Sequence, residues 1–356
     1  MNQQKNVIRG VTWVYYVLST LQFCAYYVMV CHPYLKLPNY LSYTERNPFQ
    51  QRILPVFLLR PLVTWPSFIS MFRHLGGVFM PAQRGAYLLL SLIGLLTATY
   101  FTQKLYEAVS GKNRFWILVQ PALLYTVLWA YTVRTQSLYY YPYDMLSLGF
   151  FAAGLYAVYA RRFGLLTLVM LIGTVNRETT LFLIFFYVID ACVVPEREYR
   201  ERLRDRIDLR AIPWVRAGLL FVIWAAIKVT LAHRFAANDN SEDFFRVGYN
   251  LKGMVPRQWP TLASICGFTI PILLIFRRKI AEHRFGAYLL IVPIWVAVMM
   301  MKGVIYEVRI YGELCPYAAV ATVLLLKRYL TAAQLKATDA YDGASFDEEH
   351  ERELAA

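Results

Sequence analysis

Charge is scarce in this chain. Of 356 residues, 17% are charged and 58% hydrophobic, against about 25% and 45–50% in an ordinary soluble domain. No polar stretch is long enough to build a soluble catalytic domain beside the apolar ones, which excludes Rossmann, barrel and sandwich enzymes. The five cysteines (Cys24, Cys31, Cys192, Cys266, Cys315) form no C-x-x-C pair and lie mostly in apolar runs, so neither a disulfide framework nor a zinc site is expected. The five histidines lack an H-E-x-x-H or other metal-ligand spacing, and no metal is assigned. Walker A and dinucleotide-binding glycine motifs are missing too. A nucleotide sugar or ATP therefore has no visible site, and any donor is expected to be lipid-borne.

What is present is a succession of apolar runs of near-membrane length, which predicts an all-α, polytopic transmembrane helical bundle. Candidate spans fall at residues 11–31, 84–104, 115–133, 144–160, 163–175, 179–194, 213–233, 260–276, 285–301 and 314–326. The first run is too long and aromatic for a signal peptide and is read as a span. The 27 Tyr, 22 Phe and 8 Trp suit interfacial belts or sugar-stacking platforms. The net charge is +14, although the last 26 residues hold seven acidic and two basic side chains, which leaves +19 on residues 1–330. In an apolar chain the positive-inside bias and anionic lipid account for that excess, and no nucleic-acid partner is expected. With the N-terminus cytoplasmic, the loops holding Arg161, Arg162, the Arg197 to Arg216 cluster and Arg277 to Arg284 fall inside, as do both termini.

Three segments depart from simple spans. Ile53 to Met71 is apolar but holds Pro55, Pro61, Pro66 and Arg60, so it is expected as juxtamembrane helices in the first outer loop. Residues 163–194 carry Asn176, Arg177 and Glu178 at their centre. They are too long for one crossing and too short for two, and two short helices with a polar tip are expected. Residues 195–211, dense in Arg and Glu, read as a solvated helix, and residues 331–356 as an acidic disordered cytoplasmic tail following the membrane domain 1–330.

On this layout the costly polar groups all meet at the outer face. Glu45, the lone carboxylate between Cys31 and Gln83, suits a general base, or else a loop acid paired with Arg46 or Arg52. Arg177 suits a phosphate clamp with Glu178 orienting it, and an internal Arg177–Glu178 bridge holding the turn is the structural alternative. Glu307, Arg309 and Glu313 would line the rim if helical, as a site or an ion-pair network. The run Tyr139 to Asp144 is a belt closed by Asp144 as helix cap, or a sugar platform. Lys228 would snorkel outward or meet a phosphate.

The words Phe49-Gln-Gln-Arg-Ile-Leu-Pro55, Tyr141-Pro-Tyr-Asp144 and Asn176-Arg-Glu-Thr179, with one span, a long outer loop holding a lone acid and then many spans, resemble the GT-C class of polytopic bacterial glycosyltransferases. The resemblance covers about residues 1–330. It implies an inverting transferase of the cell envelope, in polysaccharide biosynthesis, that takes sugar from a polyprenyl-phosphate carrier at the extracytoplasmic face of the inner membrane. The partners it implies are membrane lipid, a lipid-linked sugar donor and a glycan or lipid acceptor. By resemblance Glu45 is the catalytic base, while Arg177 and Arg52 or Arg309 hold the carrier phosphate, with Arg46, Asp144, Asn176, Glu178, Glu307 and Glu313 around them. Two features depart from the class: the loop has one acid where many relatives have two, and no soluble outer domain follows the spans. A transporter or flippase of a lipid-linked or anionic substrate, a polysaccharide polymerase and a structural partner of another membrane complex are the alternatives.

Overall fold

The computed structural model describes residues 2–76, 81–133, 138–193, 208–242, 244–254, 259–280 and 283–333. The fold is all-α. Six helical stretches are long and apolar enough to cross a membrane: Val7–Val30, Ala82–Ser110, Arg114–Val133, Trp214–Arg234, Arg284–Lys302 and Val308–Ala333. They coincide with six of the ten candidate spans.

The other four candidate segments are helical but shorter or interrupted. The helix Asp144–Tyr159 reaches about 24 Å at 1.5 Å per residue, short of the ~30 Å bilayer core. Residues 163–194 divide as the polar tip predicts, into the helices Phe163–Asn176 and Leu181–Cys192 with a 3-10 turn Glu178–Thr180 between them. Arg177 makes the break by taking an extended conformation. Candidate 260–276 is cut into Trp259–Ala263 and Thr269–Ile275 because Cys266, Gly267 and Phe268 all adopt positive φ, which no right-handed helix accommodates. A hydropathy pattern does not register that break.

In the loop after the first long helix, Leu54–Thr64 and Pro66–Gly76 meet at 73°. Trp65, pushed to an extended conformation before Pro66, is the corner, so the stretch is not one straight helix; a seventh crossing exists only if the bent pair is counted as one. Residues 194–207 and 334–356, which hold most of the charged linker and the acidic tail, lie outside the described residues. The three residues Leu209–Ala211 that end the linker form a 3-10 turn.

Two features position the site. The helices Ala82–Ser110 and Asp144–Tyr159 pack backbone to backbone: a Cβ on Gly94 would lie 2.3 Å from the Met145 carbonyl carbon, and one on Gly149 would lie 2.9 Å from the Gly94 carbonyl oxygen. Only hydrogen at both positions permits that approach. A two-residue parallel bridge then pairs His32 with Tyr139 and Pro33 with Tyr140. It fastens the start of the loop after the first helix to the tyrosine run that leads into Asp144.

Candidate functional site

Beside that bridge lies a cavity of about 460 Å³. The loop after the first helix contributes Tyr34, Phe49 and Arg52, and the tyrosine run contributes Tyr139, Tyr141, Tyr143 and Asp144. Arg177 comes from the broken helix, Glu307 and Arg309 from the entry to the last helix. The wall is aromatic: Phe49 stacks on Tyr141 at 5.6 Å and Tyr141 on Tyr143 at 5.2 Å. Guanidinium groups cover these rings, Arg309 4.3 Å from the centre of Tyr141 and Arg52 4.5 Å from that of Tyr143. Such stacking fixes the cations without consuming their hydrogen-bond donors.

Arg177 and Glu178 do not pair with each other. Arg177 lies 2.9 Å from Glu313 and 3.6 Å from Asp144, whereas Glu178 holds Arg52 through two hydrogen bonds, to Nη2 at 2.7 Å and Nε at 3.2 Å. Burial alone would raise the Glu178 carboxyl, but Arg52, then Lys228, reverse this and hold it well below the usual range. Lys228 itself donates to Gln51 Oε1 at 2.6 Å. Asn176 turns away from the cavity, donating to the Tyr143 carbonyl and to Ser147 Oγ.

Asp144 is not a helix cap. It is the first residue of its helix, and its Oδ2 accepts from the Tyr27 hydroxyl at 2.9 Å. Its Oδ1, 3.6 Å from Arg177 Nη1, has no hydrogen-bond partner, and neither have Tyr131 Oη, Tyr143 Oη, Arg177 Nε and Glu313 Oε2, all buried. Buried polar atoms without partners are costly, and here five of them gather around Asp144 and Arg177.

Val308–Leu314 is a 3-10 helix, which separates the three rim candidates. Glu307 pairs with Arg309, and Arg309 also donates to the Tyr139 carbonyl at 2.9 Å. Glu313 is fully buried, accepting from the Thr179 hydroxyl at 2.9 Å, and belongs to the foundation rather than the rim.

Glu45 does not line the cavity. Its carboxylate accepts the backbone N–H groups of Lys36 and Arg46, each at 3.1 Å, and its partner is Arg46, not Arg52. Arg46 lies over the Tyr34 ring and reaches Glu242 at 3.3 Å. Glu242 was not visible as a site residue in the sequence. It also accepts from the Tyr34 hydroxyl at 3.1 Å and from Arg246 at 3.0 Å. Burial, and after it Glu242, push the Tyr34 phenol up. Arg246, Tyr249 and Lys302 complete this side of the cavity.

The segment bearing Glu242 is strapped to both neighbours. Asn238 donates to the Tyr43 and Glu45 carbonyls, and Asn47 to the Phe235 carbonyl. Asn250 donates to those of Met300 and Gly303. These amides were the one available signal, an asparagine cluster in a loop, but their partners are remote in sequence. Among the described residues no three His, Cys, Asp or Glu side chains are grouped as metal ligands.

Such a cavity can hold a phosphate through guanidinium donors, lay a sugar ring against tyrosine faces, and offer a carboxylate oxygen to an incoming hydroxyl. No protein-family model, curated protein or solved structure matches this chain.

Proposed function

We propose that this chain is a membrane glycosyltransferase that moves a sugar from a polyprenyl-phosphate carrier to a glycan or lipid acceptor, inverting the anomeric carbon. The observation that carries the reading is the cavity itself: Arg52, Arg177 and Arg309 line it together with stacked tyrosines and Asp144, whose Oδ1 accepts no hydrogen bond and has Arg177 3.6 Å away. The proposal includes the ten-crossing layout, with both termini cytoplasmic and the cavity at the extracytoplasmic face of a bacterial inner membrane.

In the proposed reaction the acceptor hydroxyl oxygen bonds to the anomeric carbon as the bond from that carbon to the carrier phosphate oxygen breaks. The hydroxyl proton passes to Asp144, and the bonding electron pair leaves on the phosphate. The arginines stabilise the charge gained there, the kind of preorganised electrostatic contribution that lowers transition-state energy most. Asp144 takes the base role in preference to its neighbours. Asp144 Oδ1 has only the 3.6 Å contact with Arg177, whereas Glu307 is held more closely by Arg309 and both Glu242 oxygens accept hydrogen bonds. Glu45 then acts through Arg46, as the residue that seats the loop.

The second reading is a transporter of a lipid-linked or anionic substrate, favoured by the broken helix between Phe163 and Cys192. One experiment separates the two. Lipid-linked and envelope glycans are profiled by mass spectrometry in a deletion strain complemented with wild type or Asp144→Asn at equal membrane expression. A sugar restored by wild type and not by the variant supports transfer. Unchanged glycans across deletion and complementation overturn it, and a sugar restored by Asp144→Asn as fully as by wild type removes Asp144 as the base and points to transport.

A further inference from the structure

The helices that carry the site have a second cavity at their other end. Asp144 opens one helix on the site side. Ala157 and Val158, near that helix's C-terminal end, line a cavity of about 300 Å³, about 20 Å away at 1.5 Å per residue. Two guanidinium groups line it, Arg161 and Arg216. Arg161 leaves the helix in the left-handed conformation, φ 56°, its N–H donating to the Val158 carbonyl. Arg216 lies over the Phe163 ring at 5.2 Å. The carboxylate in the lining, Asp190, is already neutralised: Arg284 grips it with two hydrogen bonds, at 2.6 and 2.7 Å, and Tyr288 donates to it at 2.6 Å. Among the described residues neither Arg161 nor Arg216 has an ion-pair partner.

The surface beside this cationic cavity is apolar. The Trp214–Arg234 helix, which supplies Arg216, leaves Trp214 67%, Val215 88% and Leu219 48% exposed. A ligand that matches both surfaces has an anionic head and a hydrocarbon body. We propose that this cavity seats the phosphate of an anionic phospholipid between Arg161 and Arg216, with the acyl chains along the Trp214–Arg234 helix. It is a site separate from the transfer cavity and does not depend on the transferase reading.

The test is native mass spectrometry of the detergent-purified full chain with dioleoyl phosphatidylglycerol, dioleoyl phosphatidylcholine or sodium phosphate. Wild type is expected to retain phosphatidylglycerol over phosphatidylcholine. Arg161→Gln with Arg216→Gln should weaken that retention by about tenfold or more, given the attraction each basic side chain supplies to an anionic lipid. Arg277→Gln with Lys279→Gln, which removes equal charge outside the cavity lining, should leave it unchanged. Equal retention in the first pair, or equal loss in the second, overturns the proposal. So does inorganic phosphate occupying the protein while phosphatidylglycerol is not retained, which would make the cavity a free-phosphate site. If the double variant does not fold, Arg216→Gln alone is judged by the same criteria.

Discussion

Arg177 and Glu178 are neighbours in the chain whose charges face opposite ways: Arg177 pairs with Glu313 at 2.9 Å and Glu178 with Arg52 at 2.7 Å. The break between two short helices therefore ties the loop that holds Arg52 on one side to the start of the last helix on the other. A turn closed by its own Arg–Glu bridge would join nothing.

Glu178→Gln should unfold the protein at lower temperature, since it leaves the buried Arg52 guanidinium without its counter-charge, a loss of about 1–3 kcal/mol for a pair whose Glu178 side chain is 27% exposed. The pH dependence has a definite sign. The folded-state Glu178 carboxyl is depressed by Arg52 and Lys228 against the opposing effect of burial. Its stabilisation is thus complete above the unfolded carboxylate value of about 4.3 and is lost as pH falls towards the folded one. Thermal unfolding in detergent should show a constant gap between wild type and variant from pH 7 to 5 that narrows below about pH 4. A gap already closed at pH 5 would contradict the pairing.

Asp144→Asn should lower sugar transfer by about 10²–10⁴, the range for loss of a general base, with folding retained because Asn still accepts from Tyr27. Glu45→Gln should fall less than tenfold, since its carboxylate bonds to backbone N–H groups and does not line the cavity. Transfer rates in membranes with matched expression decide between them. The reverse ranking would return the base role to Glu45.

Local features of this arrangement were readable in the sequence and long-range ones were not. The break at 176–178 was legible because Asn-Arg-Glu interrupts an apolar run too long for one span. The pairings were not, because Glu313 and Arg52 lie on distant elements, and charge order along the chain says nothing about which face a turn presents. The interruption at 266–268 escaped for a different reason: Gly267 packs where a Cβ would meet Trp129 at 2.7 Å, a packing constraint invisible to hydropathy. Glu242 escaped because the loop that holds it has no apolar period and is anchored by asparagines bonded to remote carbonyls. Glu45 was legible as a lone acid. Its solitude suited a general base, while its backbone partners Lys36 and Arg46 and its place outside the cavity lining are set by the fold of the loop.

Gly94→Ala should destabilise the protein by about 1–3 kcal/mol, the usual cost of forcing a methyl group into a packed contact, because the new Cβ would overlap the Met145 backbone, which has no rotamer to change. Gly10→Ala, with nothing within 4 Å of the added Cβ, is the control and should leave the unfolding temperature in place. A Gly94→Ala protein as stable as wild type would mean that the two helices do not approach as described.

The tyrosine wall gives a prediction that separates ring from hydroxyl. Tyr141 stacks between Phe49 and Tyr143 beneath Arg309, so the ring steadies the guanidinium and, in the proposed reaction, borders the donor. Tyr141→Ala should raise the apparent KM for the lipid-linked donor by about tenfold, the upper part of the 0.5–1.5 kcal/mol that an aromatic pair adds. Tyr141→Phe should stay near wild type, because the stacking and the cation–π contact need the ring alone. If Phe fails as badly as Ala, the hydroxyl is what matters and the wall is a hydrogen-bonding surface. If neither changes KM while kcat falls in both, the ring acts by positioning Arg309 against the leaving phosphate, and the sugar lies elsewhere in the cavity.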